Sequence, residues 1–342
     1  MSLETERRVL DEIFASSEAY ENLLVLTDEI GPRLAGTANE ARARDFLAAT
    51  CTRYGLQNVR SEAFPHQAWT PVHEMLAISE PITRDLACRC AGLSPSTPGA
   101  GVEAEVVFLE SGDRREFQDR AREVNGRLVL APYYPVPRQV KTPLAAQNGA
   151  VALIETRNAP GGLQPARTCA FGRKADIPVA SISLEDAEFI RRLAERRGPV
   201  RLRLTLDSRT EVKESWNVVG EIPGTRGGPE QIVIGGHYDT WHVGPGAVDN
   251  AAGVVAVLEA ARGLVKAEAT LGRTLKVALF GVEESGLVGS WAYTHQHEDE
   301  LDHTVLMINN DVGGRPSGIS ISGFEELEAP LSPIADRVRI AG

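Results

Sequence analysis

No stretch of this sequence approaches the run of about eighteen apolar residues that would span a bilayer. The opening Met-Ser-Leu-Glu-Thr-Glu-Arg-Arg also lacks the apolar core of a secretory leader. Both absences point to a cytoplasmic protein with no membrane role. Cysteine is scarce: Cys51, Cys88, Cys90 and Cys169, scattered through 342 residues, exclude a disulfide framework. Cys88-Arg-Cys90 has no second Cys or His pair beside it, so it reads as two thiols on a strand rather than as a zinc site. Basic charge is in deficit, 36 Lys and Arg against 47 Asp and Glu, and the net charge of -11 excludes the basic face that a nucleic-acid partner needs. Neither an internal repeat nor a low-complexity tract interrupts the chain.

What is present is an ordinary globular mixture, 42% hydrophobic and 24% charged, in a chain longer than one domain needs. Apolar spacing over residues 3–29 predicts two helices or one kinked at Ser16-Ser17. Thr37-Ala-Asn-Glu40 is a capping box opening a helix that ends at Gly55. Between them, Gly31-Pro-Arg-Leu-Ala-Gly36 reads as a connecting loop, with Arg33 structural. After a strand at 59–64 the texture becomes β-rich, with strands at 105–109, 126–131, 150–155 and 200–206 and helices at 115–122 and 184–197. No cluster of chemical groups occurs there, so residues 69–212 read as a module inserted into a chain whose chemistry lies at 1–68 and 213–342. From Trp216 onward strands at 217–222, 231–235, 275–281 and 305–308 alternate with helices, which predicts an α/β fold with a mostly parallel mixed sheet.

Three of those strands end beside acids or imidazole. Val233 precedes His237 and Asp239, Phe280 precedes Glu283 and Glu284, and Ile308 precedes Asp311. In a parallel sheet such ends share one edge, where open α/β folds keep their ligands. His237 and Asp239, two apart on extended chain, face the same way. Asp249-Asn250 then caps a helix after a glycine-rich loop. Carboxylates crowded around an imidazole repel one another unless a cation joins them. Imidazole with carboxylates suits zinc, and two ions roughly 3.5 to 4 Å apart would share Asp249 and act on a carbonyl and a water. One of Glu283 and Glu284 is then free to serve as general base. His242 reads as a loop residue, and His295, His297 and His303 as an exposed helix end; Trp241 either packs its loop or meets substrate.

His237-Tyr-Asp239, Gly244-Pro-Gly-Ala-Val-Asp249-Asn250-Ala-Ala-Gly253, Glu283-Glu284-Ser-Gly286 and Asn310-Asp311 resemble the motifs of zinc exopeptidases of the aminopeptidase Y and carboxypeptidase Q kind. Gly31-Pro-Arg-Leu-Ala-Gly36 and Gly236-His-Tyr-Asp-Thr-Trp-His-Val-Gly244 are most similar to the carboxypeptidase Q branch, so the resemblance spans nearly the whole chain. It implies that 69–212 is a protease-associated domain. It also implies two zinc ions, His237 and Asp311 on one, Asp249 bridging and Glu284 on the other, with Glu283 as base to an activated water. Asp239 would accept the far ring N–H of His237, and the Asp249–Asn250 peptide would be cis. The second zinc of that family is completed by a histidine beyond the Asp311 position, whereas the last histidine here is His303, so the sequence reads as a fragment cut within a helix at 329–342. The substrate so implied is a small peptide, with aminopeptidase action favoured over carboxypeptidase action; a homodimer is left open. A non-catalytic interaction protein on the same fold and a one-zinc cyclase of N-terminal glutamine are the other readings.

Overall fold

The computed structural model describes residues 3–313 and 318–341. Its strands in chain order are β1 (Gln57–Glu80), β2 (Arg84–Leu86), β3 (Arg89–Cys90), β4 (Val102–Phe108), β5 (Leu128–Pro132), β6 (Ala152–Thr156), β7 (Val179–Ile182), β8 (Arg201–Ile222), β9 (Gln231–His237), β10 (Thr274–Phe280) and β11 (Thr304–Asn309). Hydrogen-bonded neighbours follow the path β11-β9-β10-β8-β4-β5-β6-β7-β3, with β1 pairing β8 and β2. β9 is parallel to β10 and β11, and β4 to β7 are parallel in turn. β8 is antiparallel to both β10 and β4. The result is the expected α/β fold, a mostly parallel mixed sheet flanked by helices.

A long antiparallel ribbon organises this sheet. β1 and β8 pair from Gln57 opposite Glu221 to Glu80 opposite Arg201. One end of β8 joins β10 through residues 218–222, and the other joins β4 through residues 201–204. The positions 68/69 and 212/213, where the sequence changes texture, therefore lie inside two continuous strands. Residues 207–214 are mostly exposed. With water on both sides they carry no alternating apolar signal, and only main-chain pairing reveals them as strand. In the inserted segment, helix Leu184–Arg197 forms where its periodicity places it, with Ser183 as N-cap. Helix Arg138–Gln147 goes unseen in the sequence because Pro143 lies inside it.

The break at Ser16-Ser17 produces two helices, Leu3–Ser16 and Ala19–Leu24, the second continuing into a wide turn Val25–Ile30. Helix Ala38–Arg53 starts at Thr37, whose side chain accepts the Glu40 N–H. The Glu40 carboxylate returns to the Gly36 N–H at 2.6 Å, one residue beyond the partner a capping box predicts. Helix Ala252–Lys266 lays Val254, Val255, Val257, Leu258 and Ala261 against Leu47, Cys51, Val277 and Leu279. Each fully buried aliphatic chain of this kind contributes about 1.5–3 kcal/mol. A second core fills the inserted segment with Leu76, Ile78, Leu128, Ile154, Leu202 and Leu204, and it also takes in Leu34 and Trp241 from outside that segment. Among the described residues no helix is long and apolar enough to cross a membrane.

Candidate metal centre

The register of the parallel strands builds the site. Phe280 pairs with His237 across β10 and β9, and Asn309 pairs with Gly235 across β11 and β9. Residues following the three strands thus emerge at one edge. Two glycines permit the close approach of the Asn310 backbone: a Cβ at Gly236 or Gly253 would lie 2.6 or 2.5 Å from the Asn310 carbonyl oxygen. That carbonyl accepts the Asn250 side-chain amide at 2.8 Å, which ties the end of β11 to the turn carrying Asp249. The Asp249–Asn250 peptide is cis, as the resemblance implies.

His237 is only 2% exposed and stands at the centre. Its Nε2 lies 3.0 Å from Asp249 Oδ1, 3.3 Å from Asp311 Oδ1 and 3.9 Å from Glu283 Oε2. Burial works to lower the pKa of the ring, but hydrogen bonds to Asp239, Asp249 and Asp311 outweigh it and raise it. Contact with His237 holds Asp311 below its ordinary value. Burial, with the charges of Asp239, Asp311 and Asp249, pushes Glu283 up to about 7. Burial and the charges of Asp239 and Asp249 push Glu284 up to about 9. His237, Asp249 and Asp311 each offer a ligand atom within 4.8 Å of the others. Glu284 lies outside that trio.

Asp239 does more than face the His237 ring. The His237 Nδ1 faces the backbone carbonyl of Asp239 at 3.1 Å, with the carboxylate oxygen farther away at 3.5 Å. The Asp239 carboxylate also accepts the main-chain N–H of Glu283 at 2.9 Å and of Glu284 at 3.2 Å. It orients both glutamates, while the Asp239 carbonyl, with the carboxylate behind it, faces Nδ1 and sets the imidazole tautomer.

The largest feature hidden from the sequence is Arg33. It is fully buried, and its guanidinium donates to the carbonyls of Leu26, Gly31, Tyr238 and Pro245 at 2.7–2.9 Å and of Gly246 at 3.2 Å. Its backbone N–H donates to Thr240 Oγ1. The connecting loop 31–36 therefore clamps the loop between His237 and Asp249. Trp241 proves to be a packing residue, edge-on to Trp69, and His242 lies against the same Trp69 ring. His295 and His303 are exposed as expected. His297 is not: it is buried, stacks on Tyr293 and bonds Glu62 at 2.9 Å, because helix Val288–Gln296 packs that end against β1. The four cysteines are buried and free, and burial pushes the Cys88 and Cys169 thiols up to about 12.

The donor set fits zinc. An imidazole and two carboxylates converge within ligand spacing, and the adjoining Glu283 and Glu284 ionise reluctantly because they are buried among other acids, which the charge of His237 offsets only in part. Comparison with known proteins agrees. The profile of Peptidase family M28 matches residues 217–336. Carboxypeptidase Q of Homo sapiens is 31% identical over 334 residues, covering 94% of this chain and 70% of that protein. Aminopeptidase YwaD of Bacillus subtilis (strain 168) is 28% identical over 303 residues, covering 88% and 62%. Among solved structures, a peptidase M28 precursor from Shewanella amazonensis SB2B has a TM-score of 0.82 at 26% identity, over 97% of this chain and 80% of that one. BSAP, a zinc aminopeptidase from Bacillus subtilis, has a TM-score of 0.70 at 26% identity, over 92% and 76%. The edge where β9, β10 and β11 end and the similarity to these proteins lead to one conclusion: this chain belongs to peptidase family M28, a family of zinc metallopeptidases.

Proposed function

We propose that the protein is a two-zinc exopeptidase of small peptides. His237, Asp311 and Asp249 would hold one ion, and Asp249 with Glu284 the other. Zinc, when bound, supplies Lewis acidity that acidifies a water and polarises the scissile carbonyl. The observation that carries this reading is Glu283 standing beside the ligand trio, 3.9 Å from the His237 imidazole, without being one of its members. Burial and the surrounding acids raise its carboxyl to about 7 in the metal-free fold, which marks it as a group that readily takes up a proton. Glu283 takes the proton of the attacking water on a carboxylate oxygen and delivers it to the departing amine nitrogen. Asp239 fixes the base by holding the Glu283 N–H.

The sign of the charge favours a substrate's free amino terminus over its carboxyl terminus. Asp239, Asp249, Glu283, Glu284 and Asp311 line the site with acidic oxygens, which attract an α-ammonium and accept its hydrogen bonds but offer an α-carboxylate no partner. Arg33, whose charge acts on Asp239, has its guanidinium donors taken by backbone carbonyls and holds none out to bind an α-carboxylate. Glu283→Gln should lower kcat by roughly 10²- to 10⁴-fold while zinc content is unchanged. Near-normal turnover of the zinc-loaded variant would reject the base. Dipeptide amides with a free amine should be cleaved and N-acetyl dipeptides with a free carboxylate spared; the reverse preference would make the enzyme a carboxypeptidase.

A further inference from the structure

The segment inserted between β1 and β8 touches both loops that carry the metal centre. Its residues 90–92 and 167–169 are tied together: the Gly92 N–H donates to the Arg167 carbonyl, and the Cys169 N–H to the Gly92 carbonyl, both at 2.9 Å. On one side Trp241, from the loop between Asp239 and Asp249, lies so close to Gly92 that a Cβ there would fall 2.0 Å from its ring. On the other side, the Gly172 N–H donates to the Ser285 carbonyl at 2.7 Å. Phe171 is laid on Gly286: a Cβ at Gly286 would meet Phe171 Cα at 2.8 Å and its ring at 3.0 Å. Ser285 and Gly286 directly follow Glu283 and Glu284. The turn they belong to needs support, because Val282 and Leu287 hold left-handed φ values of 57° and 62° that non-glycine residues adopt at a cost. Phe171 is 61% exposed, so it is not there to fill the core of its own segment.

We propose that loop 168–173 is a positioning element of the catalytic centre, with Phe171 its key side chain. Tied through Cys169 to Gly92, on which Trp241 packs, and bonded through Gly172 to Ser285, it links the Trp241 loop to the Glu283–Gly286 turn and so fixes the placement of Glu283 and Glu284 relative to Asp249. This rests on the reading of those glutamates as base and ligand, but it has a signature of its own. Phe171→Ala, an exposed change that leaves both cores intact, should lower kcat and zinc affinity by about tenfold. KM should stay within about twofold, since no substrate contact is removed. Amide hydrogen exchange of residues 283–288 should accelerate several-fold, and Phe171→Leu should restore most of each quantity. A raised KM with unchanged kcat would overturn the proposal in favour of a substrate contact, and unchanged exchange in the turn would overturn it outright. If Glu283→Gln keeps its activity while Phe171→Ala still loosens the turn and weakens zinc binding, the assignment of the base fails and the clasp stands.

Discussion

Glu40 is a carboxyl with no exposed surface, held by the Gly36 N–H and the Ser215 hydroxyl. Burial pushes it from 4.5 up to about 7, the two hydrogen bonds oppose that rise, and the nearby Asp239 charge adds to it. A carboxyl whose folded pKa exceeds its unfolded one favours the fold below the unfolded value and loses that advantage as pH rises through the folded value. The fold should therefore lose about 3 kcal/mol from this group between pH 4.5 and 8. Glu40→Gln mimics the neutral acid, with an amide to face Ser215 and a carbonyl to face Gly36. Thermal melts of the zinc-saturated proteins should show a steeper decline with pH in the wild type than in this variant. Parallel curves would mean that Glu40 is ionised throughout. That Glu40 caps a helix was legible from Thr37-Ala-Asn-Glu40; that it is sealed beneath β8 was not, since Ser215 lies 175 residues away.

At the scale of elements, the acids at strand ends were readable because parallel pairing makes the position after each strand equivalent. His237 and Asp311 converge for that reason, and the Asn250 amide bonded to the Asn310 carbonyl brings the turn with Asp249 to them. Loop 31–36 was not readable, because the partners of Arg33 are main-chain carbonyls, which carry no residue-type signature. The same holds for Asp239, whose two adjacent N–H contacts depend on where β10 ends. Arg33→Met should strand several buried carbonyls and cost about 3–5 kcal/mol, a sum of penalties for unsatisfied groups. It should also weaken zinc binding at least about tenfold, because the loop it clamps runs on to Asp249. Urea melts and competition with a chromogenic chelator read the two effects separately. Lost stability with unchanged zinc affinity would reduce Arg33 to a packing residue with no hold on the centre.

Across the whole molecule, the β1–β8 ribbon joins the sheet that bears the acids to the inserted segment that touches their loops. Its solvent-washed middle left no pattern to read, so two short strands were expected where one long one runs. The metal centre sits where these parts meet, and binding there should stabilise all of them together. At free zinc about 100-fold above Kd the gain is about 2.7 kcal/mol, which for 342 residues raises Tm by about 4 °C. The pH dependence follows from Glu283 and Glu284. Their carboxyls are pushed up from 4.5 to about 7 and about 9 in the metal-free fold, so each costs stability progressively as pH rises from its unfolded value through its folded one. Zinc removes that cost by pairing with the ionised forms and competes with fewer protons as pH rises. The difference in Tm between zinc-loaded and chelator-treated protein should therefore widen from pH 6 to pH 9. Calorimetry in matched buffers measures it, and a gap that is absent at pH 8, or that narrows as pH rises, would show that these carboxylates do not meet at a zinc site.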